Sequence, residues 1–240
     1  MQSQNIYQPF TLFWSIGFLK SSLIVATTEY TYKDHYEMKD ICVEHKIIPD
    51  VITEAPEDEI ELAYNEYDYV HYGTYLTVDQ IKEKPTLLRW RFLPNLLYTL
   101  LLISPDHPTR ENPDEKEWQY WIVSNIHGGD LKLSRTLTEY SPPTEILGKE
   151  PHRMIFMVFL QSAPRAVNFN EPYIKKETRR IPPEQFDLGL FQPIGRMFPM
   201  SLRTISKERA HFNTREFAKK HNFTKLVALN FFLMKPTKKT

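Results

Sequence analysis

The strongest constraint in this chain is a pair of short apolar runs that do not alternate. Met154–Leu160 reads Met-Ile-Phe-Met-Val-Phe-Leu, and Gln119–Ser124 reads Gln-Tyr-Trp-Ile-Val-Ser. A strand with one wet face alternates apolar and polar residues, whereas a run that is apolar and β-branched throughout is covered on both faces. Both runs therefore read as central strands, and the rest of the chain must supply a layer on each side. Leu87–Phe92 and Leu96–Ser104, separated by Leu93-Pro94-Asn95, add two more strand-like runs, and Val227–Leu233 adds a last one. Ile60–Tyr64 largely alternates, the period of a half-buried strand.

Helical signals are few. Tyr32–Lys46 suits a short helix with Tyr36, Ile41 and Cys42 among its apolar positions, and Pro49 bars its extension. Thr77-Val-Asp-Gln80 has the form of a capping box opening a brief turn that must stop before Pro85. Asn213 or Thr214 caps a helix running to Asn222. Short strands, few helices and no βα alternation give a mainly β fold with an antiparallel sheet. There is no internal repeat and the strands need one another for a core, so residues 29–240 read as a single domain. Its 162–210 stretch, rich in Pro and Arg around Arg179-Arg-Ile-Pro-Pro183, is an irregular surface excursion.

Composition excludes several chemistries. The chain has 18 Pro but only 7 Gly, and no G-x-x-x-x-G-K-[ST], G-x-G-x-x-G or G-x-S-x-G. Glycine-loop nucleotide enzymes and serine hydrolases with a nucleophile elbow are therefore not expected. Cys42 is alone, so no intrachain disulfide or thiolate zinc cluster can form, and the lone cysteine reads as inert filler. No His/Asp/Glu spacing suggests a metal; no catalytic residue, metal or cofactor is expected. The net charge is zero, but residues 151–240 hold 17 Lys/Arg and 6 Asp/Glu while residues 1–150 hold 13 and 24. These opposite blocks either neutralise each other in the folded body or leave a basic face for lipid, phosphate or an acidic protein.

Residues 1–28 carry Phe10–Leu19, then Lys20, then Leu23–Ala26, too short for a membrane span and about right for a signal-peptide core. The segment is read as a signal peptide or an N-terminal arm; no transmembrane segment is expected. Secretion is the first reading of location, with cytoplasmic and mitochondrial alternatives. On export, Asn222-Phe-Thr224 becomes a glycosylation sequon.

Polar residues cluster where strands end. Ser104-Pro-Asp-His-Pro-Thr-Arg110 follows one central strand, Trp118 and Tyr120 open the next, Pro142-Pro143 lie in a loop, and Pro151-His-Arg153 precede Met154–Leu160. Strand-end loops of an antiparallel sheet can converge on one rim, placing an Asp, a His, an Arg and aromatic rings around a proline-walled cavity suited to an anion.

These residues resemble the phosphatidylethanolamine-binding proteins, also called Raf kinase inhibitor proteins. The family's D-P-D-A-P-S-R corresponds to Ser104–Arg110, its E-W-x-H-x-x-x-x-N to Glu117–Asn125, and its G-x-H-R to Glu150–Arg153, before an aromatic strand ending at Gln161. Ile48–Ile52, Leu76–Pro85 and Phe212–Lys220 also resemble family segments, so the similarity covers roughly residues 45–233. It implies a central antiparallel sheet packed on a smaller sheet with a few short peripheral helices. It also implies a small pocket for phosphate-type headgroups, and binding roles toward kinases or proteases rather than catalysis. The site residues it implies are Asp106, Pro108, Trp118, Tyr120, Pro143 and His152. Partners follow as a phospholipid headgroup or other small anion and a protein partner; DNA is not expected. A mitochondrial ribosomal large-subunit protein also belongs to this family, so a structural role in such an assembly, with RNA as partner, is the alternative function.

The departures are specific. Ser104 replaces the family's first pocket Asp, Tyr120 its pocket His, Met154 a Tyr, and Glu150 the Gly of G-x-H-R. Glu150 repels phosphate unless it turns outward. His107 replaces an alanine and reads as an exposed loop histidine, or as a substitute for the donor lost at Tyr120. Asp106 and Arg110 either brace their loop or face a ligand. Arg153 reads as an ion-pair partner at a sheet edge, and Trp118 as core or pocket wall.

Overall fold

The computed structural model describes residues 33–162, 165–176 and 208–237. The N-terminal segment 1–28 and most of the 162–210 excursion lie outside the described residues.

Two sheets form. In the larger, Asp58–Glu59 (β1), Phe223–Met234 (β10), His152–Gln161 (β9), Leu97–Ser104 (β6), Trp118–His127 (β7) and Arg135–Thr138 (β8) lie side by side in that order. Pairing is antiparallel from β10 across to β8. Short β1 and Thr74–Leu76 (β4) add to the outer edge of β10 in parallel, one beside each half of that strand. The smaller sheet has Glu61–Tyr64 (β2) between Asp68–Val70 (β3) and Leu87–Arg89 (β5).

Both non-alternating runs are central, as their composition requires. Along β9, Met154, Phe156 and Val158 enter one core while Ile155, Met157 and Phe159 enter another, and β6 divides Leu100 and Leu102 from Leu101 and Ile103 in the same way. The first core lies between the sheets, where Leu62, Tyr64 and Val70 meet them. The second lies under Met38 and Cys42 of the helix His35–Glu44 (α1) and Phe217 of the helix Thr214–Lys220 (α3). Each such fully buried aliphatic or aromatic side chain contributes about 1.5–3 kcal/mol.

Local chemistry sets the helices. Asp34 accepts from the Glu37 amide and Glu37 reaches back to the Asp34 amide, a complete capping box for α1. Met38, not Tyr36, is the buried residue of its first turns, and Tyr36 stands exposed. Lys46 adopts φ 56° and turns the chain into a short helix, Ile47–Asp50 (α2), kinked at Ile48. Asn213 caps α3 by accepting from the Glu216 amide. Thr77 and Gln80 do exchange capping-box bonds, but only turns follow before Pro85. The expected half-buried character of Ile60–Tyr64 is corrected: all of β2 is buried, and Glu61 within it is paired with Arg89 on the neighbouring strand at 3.0 and 2.8 Å.

Among the described residues, no helix is long and apolar enough to cross a membrane, and no three His, Cys, Asp or Glu side chains are grouped to hold a metal ion.

Candidate functional site

The site grows from the end of β6. After Ser104 the chain turns, and the Ser104 hydroxyl accepts from the Asp106 amide at 3.2 Å. Because β6 pairs with β9 through Ile103 and Ile155, this turn lies beside the start of β9. Asp106 there meets Arg153. One carboxylate oxygen accepts from the Arg153 amide at 2.7 Å and from Nε at 3.0 Å, and the other accepts from the second guanidinium nitrogen at 2.6 Å. Both residues are buried, which makes this a charge pair with every contact internal. The remaining Arg153 nitrogen donates to the carbonyls of His45 and Lys46 and to Asp50, at 3.0, 2.8 and 2.9 Å. Burial works against the Arg153 charge, but Asp106 and Asp50 outweigh it and raise the pKa above its ordinary value. The pair thus fastens three segments: the turn after β6, the start of β9 and the α1–α2 junction.

Beyond Asp106 the loop folds back on β7. The His107 ring lies tilted over Trp118 with centroids 3.8 Å apart, and Trp118 lies 6.5 Å from Tyr120. The expected exposed His107 is corrected: the ring is only about a quarter exposed, 27%. Although Glu115 Oε2 is 3.3 Å from its Nε2, burial and the neighbouring His152 push the His107 pKa down to about 4. Desolvation therefore outweighs that single half-exposed carboxylate, and the ring is neutral at physiological pH. His152 is buried, its Nε2 2.9 Å from the Leu147 carbonyl, and burial lowers its pKa too.

Trp118, Tyr120 and His152 are thus buried, and Trp118 and Tyr120 belong to the first core; Pro108 and Pro143 are half-buried. The structure brings Asp106, Trp118, Tyr120 and His152 to one end of the sheet, but each is turned inward. Glu150 faces outward, 3.5 Å from Arg110, whose guanidinium also donates to the Pro151 carbonyl at 3.2 Å. Arg110 is accordingly a brace.

Sequence reasoning missed Glu111. Its carboxylate accepts from the backbone amides of Lys149 and Glu150 at 2.7 and 2.9 Å. Its own amide and these two hold its carboxyl below the usual range. Gly148 makes the approach feasible: at φ 90°, a Cβ there would lie 2.5 Å from Glu111 Oε2. The glycine after Leu147 was the available signal.

An open cleft of about 490 Å³ adjoins Asp106. Its cations are Lys46, Arg110, Lys116 and Arg215, with the Arg153–Asp106 pair at its floor and Asp50, Glu117 and Glu150 interspersed. Arg215 is held by the carbonyls of Val51 and Pro49. Glu117 accepts from the Thr214 amide and hydroxyl, at 2.9 and 2.5 Å, and burial raises its pKa. The Lys46 and Lys116 ammonium groups make no ion pair among the described residues. Cys42 is remote from this chemistry: it is buried in the second core, and burial pushes its thiol up to about 12.

No protein-family model matches the chain. It is 30% identical over 125 residues to the candidate odorant-binding protein A5 of Drosophila melanogaster, covering 52% of this chain and 59% of that protein. It is 33% identical over 122 residues to a 26 kDa secreted antigen of Toxocara canis, covering 51% of this chain and 45% of the antigen. The chain thus spans about half the length of the curated relatives it matches. Among solved structures, a carboxypeptidase Y inhibitor complexed with its cognate proteinase superposes at a TM-score of 0.61, with 18% identity, over 85% of this chain and 97% of the inhibitor. A phosphatidylethanolamine-binding protein from Plasmodium vivax superposes at 0.58, with 21% identity, over 83% and 98% of the two chains. This chain has the fold of the phosphatidylethanolamine-binding proteins.

Proposed function

We propose that this chain is a non-enzymatic binding protein whose phosphate-headgroup pocket is degenerate, its place taken by the protein's own groups. The observation that carries the reading is the His107 ring, 3.8 Å from Trp118, at the position where the resembled motif has alanine. An imidazole in that place, stacked on Trp118 and near His152, takes space that a headgroup would need in the pocket implied by Asp106, Pro108, Trp118, Tyr120, Pro143 and His152. Glu111 supports the same reading: paired backbone amides are the donors an external anion would use, and at Lys149 and Glu150 they already hold a carboxylate.

The surface left for a ligand is the cleft beside Asp106, where cations and carboxylates are interspersed. That pattern suits a charged protein segment, the contact a kinase or protease partner would offer. The names of the relatives, a binding protein and an inhibitor bound to its proteinase, support binding rather than catalysis. Titration of the folded chain with phosphorylethanolamine and with inorganic phosphate, followed by NMR of the His152 ring, tests the reading. No shift is expected at millimolar ligand; a saturable shift at micromolar ligand would overturn it.

Export belongs to this reading, and the name of the secreted antigen relative supports it. Asn222 of the Asn-Phe-Thr sequon is exposed in the turn after α3. Chain expressed in glycosylating cells should reach the medium with a glycosidase-sensitive mass increment that Asn222→Gln removes. Retention of unmodified full-length chain inside those cells would count against export.

A further inference from the structure

At the far end of the large sheet, where β6 begins and β7 ends, two adjoining loops carry exposed apolar residues. Leu93 is 63% exposed and Leu133 87%, beside Phe92 at 45%. Phe92 packs on the Gly128–Gly129 backbone so closely that a Cβ on Gly129 would lie 2.8 Å from its ring. The Gly128 amide donates to the Leu96 carbonyl at 3.0 Å, and the Leu93 amide to the Tyr98 hydroxyl at 2.9 Å. The loop before β6 and the turn after β7 are therefore one body. Leu133 lines a groove of about 400 Å³ that runs from Leu97 to Arg135 and Arg165, and no carboxylate lines that groove.

Cations outnumber acids around these leucines, Asp130 being the acid of the turn. Lys132, Arg135 and Arg165 make no ion pair among the described residues. The Arg135 guanidinium donates to the side-chain carbonyl of Asn168. The acid nearest in sequence, Asp130, caps its own turn by accepting from the Lys132 amide at 2.8 Å. By contrast, Arg91 and Lys225 are neutralised by Asp58 and Glu57.

We propose that this end of the sheet docks on an anionic lipid bilayer, with Leu93 and Leu133 entering the interface and Lys132, Arg135 and Arg165 facing lipid phosphates. A bilayer suits the patch better than a protein does. The leucines project from loop tips, which a fluid surface accommodates without shape complementarity, and cations not held in fixed ion pairs suit a diffuse negative field. This surface lies at the opposite end of β6 from the cleft, so it is independent of the ligand reading above.

Sedimentation of the full chain with vesicles tests the proposal. Binding is expected to vesicles of phosphatidylcholine mixed with phosphatidylserine and not to phosphatidylcholine alone. It should fade as salt rises from about 0.1 M to about 1 M, over which the Debye length shrinks from about 10 Å to about 3 Å. Replacing either Arg135 or Arg165 by glutamine should weaken binding about fivefold, and Leu93→Ser with Leu133→Ser should weaken it about tenfold or more. All four positions are exposed, so an unchanged unfolding midpoint verifies the variants. No association with phosphatidylserine vesicles would overturn the proposal and leave the patch to a protein partner. Association that persists in the leucine variant would assign lipid binding elsewhere in the chain and overturn it equally.

Discussion

Replacing Asp106 by alanine is expected to lower stability by about 3–5 kcal/mol, read as a fall in the urea midpoint. The cost arises from what is left behind. Arg153 would keep its charge in a buried site, losing the carboxylate that accepts three of its N–H groups at 2.6–3.0 Å. Asp50 cannot replace it, because Asp50 is 41% exposed and bonds the other guanidinium nitrogen. Removing both charges, as in Asp106→Leu with Arg153→Met, should recover part of the loss, since an apolar pair leaves no uncompensated ion. Recovery stays partial because the carbonyls of His45 and Lys46 lose their donor. A midpoint unchanged by Asp106→Ala would mean that the pair does not fasten the turn to β9.

The second large effect is expected at Asn230, whose alanine variant should also lose about 3–5 kcal/mol, with each buried polar group left unsatisfied costing about 1–3 kcal/mol. Asn230 sits fully buried in β10, where a branched apolar residue would serve a plain strand. Its carbonyl oxygen accepts from the Tyr72 and Phe231 amides at 3.1 and 2.8 Å, and its nitrogen donates to the Ile60 and Val70 carbonyls at 2.7 and 2.9 Å. One side chain thereby joins the last strand to the segments around β2 and β3, over sequence separations of 158 to 170 residues. Amide exchange at Tyr72 should accelerate along with the fall in midpoint. A loss below about 1 kcal/mol, the worth of an ordinary single hydrogen bond, would contradict this role.

How much of this was legible depends on range. The central strands were, because an apolar run without alternation has only one stable placement in a β domain. The α3 cap was also legible, since Asn213 acts over three residues, whereas the Asp34 cap of α1 was not read. Arg135–Thr138 was not read as a strand: its polar residues carry no periodic signal, and its pairing with β7 and its bridge to Ile174 bring it into the sheet. Tyr36 and Met38 compete for the same first turns of α1, and local pattern cannot say which one meets the sheet.

The candidate site was legible as a neighbourhood and less so as chemistry. The motifs placed Asp106, Trp118, Tyr120 and His152 together. The bonds that fix the site are long-range: Arg153 lies 47 residues from Asp106, and Glu111 lies 38 residues from Lys149. His107 illustrates the limit. A histidine two residues after a proline looks solvent-facing in sequence, yet burying its neutral ring over Trp118 gains aromatic contact at the cost of its charge. The prolines of the loops, Pro105, Pro108 and Pro113, hold the chain in the turn that delivers that ring.

The degenerate pocket is tested most directly by repeating the phosphorylethanolamine titration on His107→Ala beside the wild-type chain, with the His152 ring as reporter. Alanine restores the residue of the resembled motif and removes the ring that occupies the site. The account predicts no His152 shift in the wild type at millimolar ligand and a saturable one in the variant. Saturable binding by the wild type, as tight as that of His107→Ala, would contradict it.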